Sequence, residues 1–307
     1  MAPTVDAVYT WVDGSWPGFQ EALRSYASTA TDLNPRRYRD LYLLLKFSLR
    51  SLERFVPWVR DVYFVTCRPQ VPPWLDTANP RVRIVHHDEI IEPQYLPTFS
   101  TRVIESYIHR VPSEADFLLS MQDDWLFGRP TELGDFLADD GRIRVHGTFL
   151  GEAPDRHVYA DRRIPSTTCL EHVPRLVDPA LWGDMLEWRR EEVERTRRNR
   201  FRREGDLRMD RLYRVYLLSR RQERSVAVPF FRTLAVHRFH SITDDLPRQR
   251  KKLERLQTRP PKFYCLNDDQ GPNPSPPVAA AVQHFLDRFY PDPSSFERAM
   301  GHVEADA

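Results

Sequence analysis

The chain is short of cysteine, nearly devoid of lysine and free of long apolar runs, and each shortage narrows what it can be. No apolar stretch approaches the roughly 18 residues that mark a membrane-spanning helix. The opening Met1–Val5 has neither a basic region nor an apolar core, so a cleaved secretory leader is not expected. Cys67, Cys169 and Cys265 lie far apart with no CxxC spacing. They are expected to be reduced thiols in a cytosolic protein, not a disulfide framework or a structural zinc site. Charge of one sign is not in excess either: 45 Lys+Arg against 44 Asp+Glu leaves +1. That balance disfavours a general nucleic-acid binder. Within the basic set only Lys46, Lys251, Lys252 and Lys262 are lysines. Nearly all positive charge is therefore guanidinium, which can grip phosphate oxygens in pairs. A P-loop, a GxGxxG after a strand and a GxSxG elbow are all missing. P-loop kinases, classical dehydrogenases and α/β-hydrolases are thereby disfavoured.

What remains is a globular composition, 41% hydrophobic and 29% charged over 307 residues, enough to bury a core in one large domain or two small ones. Strand-like stretches are expected at Val5–Val12, Val59–Thr66, Val82–His86, Phe117–Met121 and Lys262–Leu266. Helical spacing is read over Arg39–Phe55, Ser100–Val111 (with Thr98 as its cap), Leu181–Arg198, Asp206–Arg220, Leu246–Leu256 and Pro277–Tyr290. Thr131–Pro165 offers only short strands and loops. The alternation predicts an α/β sheet with crossovers. It sets Asp13-Gly14, Thr66–Arg68 and Gln122–Asp124 at strand ends, the edge where open α/β sheets bind ligands.

Asp123-Asp124 directly after an apolar strand suits Mg²⁺ or Mn²⁺, which favour hard oxygen ligands completed by substrate phosphate. The plainer alternative is a turn bearing two solvated acids. His172, just ahead of a helix, has the right chemistry for a general base near neutrality. His237 and His240 lack a zinc signature and are expected to be surface or core residues. Arg189–Arg203 is rich in arginine. Its early part alternates with glutamate as a solvated helix would, while Arg200–Arg203 leaves a phosphate clamp, an anionic membrane face and plain solubility open. Asn267-Asp268-Asp269 forms another polar strand end, either an Asx-turn or a ligand contact.

These segments join into a family pattern. Asp6–Ser15 resembles the first conserved block of the Stealth family of sugar-1-phosphate transferases of polysaccharide synthesis. Arg39-Asp40, Ser48–Glu53, Pro57–Arg60, Leu96–Phe99, Ile104–Ser106 and Asp123-Asp124 resemble the second block. His172-Val173-Pro174 resembles the His-x-Pro of the third, and Phe263–Asp268 with Tyr290-Pro291 and Pro293–Glu297 the fourth. The chain departs from that pattern at Trp16, Leu44, Cys67–Gln70, Ser100-Thr101 and Gln122.

The resemblance implies one catalytic domain with a Rossmann-like (GT-A-like) mixed α/β sheet, flanking helices and an appended helical lobe. Residues 1–130 would form the nucleotide-sugar core, 131–165 a variable insertion, and 166–300 the part completing the site. It implies transfer of a sugar 1-phosphate from a nucleotide-sugar donor, UDP-linked, to a glycan or other hydroxyl acceptor, with release of a nucleoside monophosphate. By resemblance, Asp13, Gly14 and Arg39 shape the nucleotide end and Asn267 completes it. Asp123 and Asp124 hold Mg²⁺ (or Mn²⁺), Arg202 neutralises phosphate, His172 is the base and Glu105 a second polar anchor. No nucleic-acid partner is expected, and the location is cytoplasmic, with peripheral contact at the inner membrane face open. A glycosyltransferase releasing a nucleoside diphosphate and a non-catalytic carbohydrate binder are the competing readings.

Overall fold

The computed structural model describes residues 2–28, 39–148 and 172–299. Four parallel strands, β1 (Val5–Thr10), β2 (Val59–Thr66), β3 (Val82–His86) and β4 (Phe117–Gln122), form most of the central sheet. A fifth, β7 (Arg175–Val177), pairs antiparallel with β4 at the edge, and the spatial order is β3-β2-β1-β4-β7. In β1 and β4 the buried residues run almost without interruption, as in strands covered on both faces. Helix Leu44–Phe55 contributes Leu45, Leu49 and Leu52, spaced by a helical turn and fully buried in the same core. The mixed, mostly parallel α/β sheet expected from the alternation is what the chain forms.

A smaller sheet has the order β5-β10-β9, built from β5 (Trp125–Phe127), β10 (Phe263–Asp268) and β9 (His237–Ile242). β10 runs antiparallel to β5 and parallel to β9. Helices Leu246–Thr258 and Pro276–Phe289 bury Leu253, Leu256, Val278, Val282 and Leu286 against Leu126, Tyr264 and Leu266. The helical lobe thus carries a sheet of its own. β4 passes into β5 through only Asp123 and Asp124, so the acid pair sits where one sheet hands the chain to the other. The backbone there is locked, with Leu266 N donating to Asp124 O at 2.9 Å. A short parallel pair, β6 (Ile143–Thr148) with β8 (Ser225–Pro229), lies apart. The former falls within the stretch expected to hold short strands.

Several helices differ from their sequence expectation for local reasons. The helix expected from Arg39 begins at Leu44, because Asp40 Oδ1 accepts from Leu44 N at 2.9 Å and Leu43 takes a left-handed φ of 51°. Ser100–Val111 breaks into helix Thr101–Glu105 and a 3₁₀ turn at Ile108–Arg110. There Arg197 donates to both Ser106 Oγ (3.0 Å) and Ser106 O (3.2 Å). Thr98 Oγ1 accepts from Ser100 N at 3.3 Å and does not cap the helix. Leu181–Arg198 divides at Arg189 into helices Pro179–Trp188 and Arg190–Arg197. Helix Pro17–Tyr26 and strands β7, β8 and β9 are additions that the pattern did not reveal. Among the described residues no helix is long and apolar enough to cross a membrane.

Candidate active site at the strand ends

The ends of β1 and β2 are tied by one side chain. Gln70 accepts from Asp13 N at 2.7 Å and donates to Asp13 O at 3.0 Å, imitating a ladder pair beyond the last strand residues. Asp13 Oδ1 accepts from Ser15 N (2.8 Å) and Ser15 Oγ (2.6 Å), which closes the turn. Gly14 O accepts from Gln20 Nε2. Arg39 reaches across to the end of β10 and the loop after it. It pairs with Asp268 at 2.6 Å and donates to Gly271 O (2.9 Å) and Gln270 O (3.2 Å). Tyr42 also donates to Gln270. Arg39 therefore spends its donors bracing a loop. Asn267 is half-buried in β10, two residues beyond Cys265 and hence on the same face of the strand.

Asp124 is the centre of the constellation. Its Oδ2 lies 3.3 Å from His172 Nδ1 and accepts from Cys265 Sγ at 3.1 Å. Its Oδ1 is buried with no hydrogen-bond partner among the described residues. Ligand-bearing atoms of Asp124, His172 and Cys265 all lie within 4.8 Å of one another. Burial, then the neighbouring Asp124 and Asp40, pushes the Asp123 carboxyl well above the ordinary carboxylate range. Burial and, in part, Asp13 raise Asp40 as well. Burial and Asp124 push the Cys265 thiol far up. The carboxylates thus act on one another, an arrangement that favours a proton or a cation among them. An orphaned carboxylate oxygen beside a carboxyl forced towards neutrality fits a divalent cation. Asp123 and Asp124 alone are hard donors that suit Mg²⁺, whereas His172 and Cys265 would suit a softer ion.

His172 has a left-handed φ of 62°, a conformation that costs a histidine on the order of 1 kcal/mol and that clusters at functional sites. Its carbonyl faces His237 Nε2 at 3.2 Å. Its ring meets Trp125 edge-on and tilts against Phe239. His237 and His240 are both buried. Of the surface and core placements left open for them, the core one is found, and His237 also supports the backbone of the candidate base.

Beside His172 opens a polar cavity of about 160 Å³, bordered by Glu105, Gln122, Arg175, Arg202, Arg208 and Asp210, among others. Gln122 donates to Glu105 at 2.8 Å. Burial and then Asp210 raise the Glu105 carboxyl, against the pull of Arg175, Arg202 and Arg208. Burial opposes ionisation of Asp210 too, but Arg175, Arg208 and Arg214 outweigh it and hold that carboxyl down to about 2. Arg202 reaches Thr101 Oγ1 at 2.5 Å and borders the cavity. Arg203 instead uses its backbone, its N donating to Asp206 at 2.7 Å and its O accepting from Arg102. Most other members of the arginine run are engaged in the fold. Arg189 and Arg190 pair with Glu192 and Glu187, and Arg200 donates to Leu96 O and Pro97 O.

The structure thus gathers Asp123, Asp124, His172, Glu105 and Arg202 around one centre. Asp13, Gly14, Arg39 and Asn267 stand on the flanking strand ends. Sequence reasoning missed Arg175, Arg208, Asp210, Trp125 and Gln70. A usable signal existed for Arg175, which follows His172 by three residues and opens an apolar strand. Cys169 lies outside the described residues.

A mixed α/β protein with a charged site at the ends of its parallel strands is the class these features define. Conserved region 1 of Stealth proteins matches residues 3–29, conserved region 2 residues 37–145 and conserved region 4 residues 254–305. The chain belongs to the Stealth family. An exopolysaccharide phosphotransferase of Streptomyces coelicolor is 31% identical over 96% of this chain and 51% of the relative. Capsular polysaccharide phosphotransferase SacB of Neisseria meningitidis serogroup A is 29% identical over 96% of this chain and 57% of the relative. The chain spans about half the length of these curated relatives. Among solved structures, galactosyltransferase LgtC with donor and acceptor sugar analogues aligns over 94% of this chain and 96% of its own, at 10% identity and a TM-score of 0.45.

Proposed function

We propose that this chain transfers a sugar 1-phosphate from a nucleotide-sugar to a glycan hydroxyl and releases a nucleoside monophosphate. One observation carries the reading: His172, set against Asp124, opens onto the same small cavity as four arginines. The names of its relatives, exopolysaccharide and capsular polysaccharide phosphotransferases, support it. In this reaction the acceptor oxygen attacks the sugar-proximal phosphorus. The bond from that phosphorus to the bridging oxygen breaks, and the nucleoside monophosphate leaves with the bridging oxygen. The acceptor proton passes to His172, whose ring is oriented by Asp124. Phosphoryl transfer depends mainly on alignment and charge neutralisation, and Arg202 supplies the latter on the oxygens of the transferred group. Glu105 and Gln122 form a hydrogen-bonded floor. Asp13 and Gly14 shape the nucleotide end, with Asn267 on the opposite strand and Arg39 acting through the loop it braces. Asp123 and Asp124 would hold Mg²⁺ or Mn²⁺, which supplies charge neutralisation at the diphosphate. A cytoplasmic location, facing the donor pool, accompanies this reading.

The test is incubation with a panel of nucleotide-sugars, Mg²⁺ and a hydroxyl-bearing oligosaccharide, followed by chromatography of the nucleotides. Acceptor-dependent monophosphate is the expected product. Diphosphate release would make the chain a glycosyltransferase, and no release with any donor would leave a carbohydrate binder.

A further inference from the structure

Arg175 lies deep in the fold, yet its charge is poorly matched. It opens the edge strand β7 opposite Ser120 of β4. Its side chain is 11% exposed, and its guanidinium carbon stands 5.1 Å from the centre of the Trp125 ring. The nearest carboxylate contact is loose, with Nη2 3.5 Å from Asp210 Oδ2. Asp210 is shared with Arg208, whose Nε lies 3.5 Å from Oδ1. Arg175 Nε is buried with no hydrogen-bond partner among the described residues. An unsatisfied donor on a charged group is costly to bury, and native folds rarely retain one without a ligand or water to meet it. Burial accordingly drags the Arg175 guanidinium below its ordinary pKa.

The cavity that Arg175 borders narrows the choice of ligand. It is lined by Arg102, Arg202 and Arg208 in addition to Arg175, against only Glu105 and Asp210 as acids. Its volume, about 160 Å³, is well below the roughly 300–1,000 Å³ of pockets that enclose whole small molecules. It suits a single tetrahedral oxyanion with its substituents leaving through the mouth. A planar guanidinium fixed by stacking can present two donors to such a group without paying for its own ordering.

We propose that Arg175 is a second phosphate-gripping residue, facing Arg202 across this cavity and completing a binding slot for one phosphate group. The role rests on the transfer reaction proposed above for its purpose, but not for its detection. The phosphate can come from the donor diphosphate or from a phosphate ester already present in the acceptor.

Titration with inorganic phosphate at fixed ionic strength, without metal, tests the slot directly by calorimetry. Wild-type protein should bind, and Arg175→Gln should bind about 10–100-fold more weakly. Arg175→Lys keeps the charge but not the paired donors, and should fall between them. It also serves should Arg175→Gln fail to fold, as melting temperature will report. Equal phosphate affinity in wild type and both variants overturns the proposal, and so does a wild type that does not bind phosphate. Turnover then separates the sources. A loss of kcat/KM with an uncharged acceptor assigns the slot to the donor phosphate. A loss confined to a phosphorylated acceptor assigns it to the acceptor. Phosphate binding that depends on Arg175 in a protein with no transferase activity would overturn the proposed function and leave the slot standing.

Discussion

The site has an acidic wall and a basic wall, and the two are built on opposite principles. On one side stand Asp13, Asp123 and Asp124 at strand ends, with Asp40 from the loop ahead of helix Leu44–Phe55. Burial and mutual repulsion raise Asp123 and Asp40, and a buried oxygen of Asp124 remains unpaired. On the other side Arg175, Arg202 and Arg208 surround two buried carboxyls, and Asp210 stays ionised down to about pH 2. The acidic wall is frustrated towards a cation, the basic wall towards an anion. Opposed walls of this kind suit a ligand that carries both signs of charge. A metal-bound diphosphate has that charge pattern. His172 stands at the junction, with Asp124 on one flank and the arginine cavity on the other.

The largest effect is expected from breaking the acidic wall. Asp124→Asn should lower turnover by about 10³-fold or more, because it would weaken the proposed cation site and deprive His172 of its orienting charge together. The melting temperature should change little, since the backbone bond to Leu266 does not involve the side chain. Unchanged turnover at saturating Mg²⁺ would detach the acidic wall from the chemistry.

Removing the junction should cost somewhat less. His172→Ala is expected to reduce kcat by roughly 10²–10⁴-fold, the usual worth of a positioned base, and to leave the donor KM nearly unchanged. The strained backbone at His172 gives this variant a second reading. Relief of a left-handed φ is absent in alanine and available in His172→Gly, which should match the alanine in activity and exceed it in melting temperature. If turnover survives in both variants, His172 is a structural corner.

Sequence legibility divides along the same line as the two walls. The acidic wall was readable because parallel strands announce themselves as apolar runs, and the residue after such a run is placed by the strand itself. Asp13 and Asp123-Asp124 needed only that rule. The basic wall depends on long-range packing. Arg175 is placed by an edge strand of three residues, and Asp210 by the first turn of helix Met209–Arg220. Neither position has a local signal strong enough to separate a buried guanidinium from the many solvated ones. The single helix expected over Leu181–Arg198 failed as well. The helix breaks at Arg189, whose backbone leaves the helical region at φ −124° and ψ 37°, in a segment whose charge pattern favours continuous helix. The family pattern did reach across this gap to His172 and Arg202, but it did not supply their neighbours.

Acid should act on the fold through its buried histidines. His87, His109, His146 and His240 are held by burial to pKa values of about 4, and His237 to about 3. Unfolded histidines titrate near 6.5. Below that pH the unfolded chain binds more protons than the folded one, so stability falls as pH drops from about 6.5 towards 4. Asp123 and Glu105, with raised values, act in the opposite sense. The histidines are more numerous and should prevail. Melting temperature measured from pH 8 to pH 5 should therefore be steady above 6.5 and decline below it. A flat profile would mean that these rings find water or counter-charges in the fold.

The smallest effect is expected at the outer end of the acidic wall, where Gln70 ties the ends of β1 and β2. Its amide satisfies both backbone groups of Asp13, and no strand residue is available there to do so. Gln70→Ala would leave Asp13 N unpaired in a half-buried turn, and Asp13 O with only the long 3.4 Å bond from Trp16 N, costing about 1–3 kcal/mol if water cannot reach them. Asp13 would still be closed onto Ser15 by its own side chain, so the turn should loosen without being lost. The expected result is a donor KM raised several-fold with kcat almost intact, because the nucleotide end is displaced and the junction is not. Gln70→Glu discriminates further. A carboxylate can accept from Asp13 N but cannot donate to Asp13 O, and it adds charge beside acids already in conflict. It should raise the donor KM more than alanine does. Equal donor KM in wild type and both variants would show that the turn is fixed by Ser15 alone, and would remove Asp13 from the nucleotide end of the acidic wall.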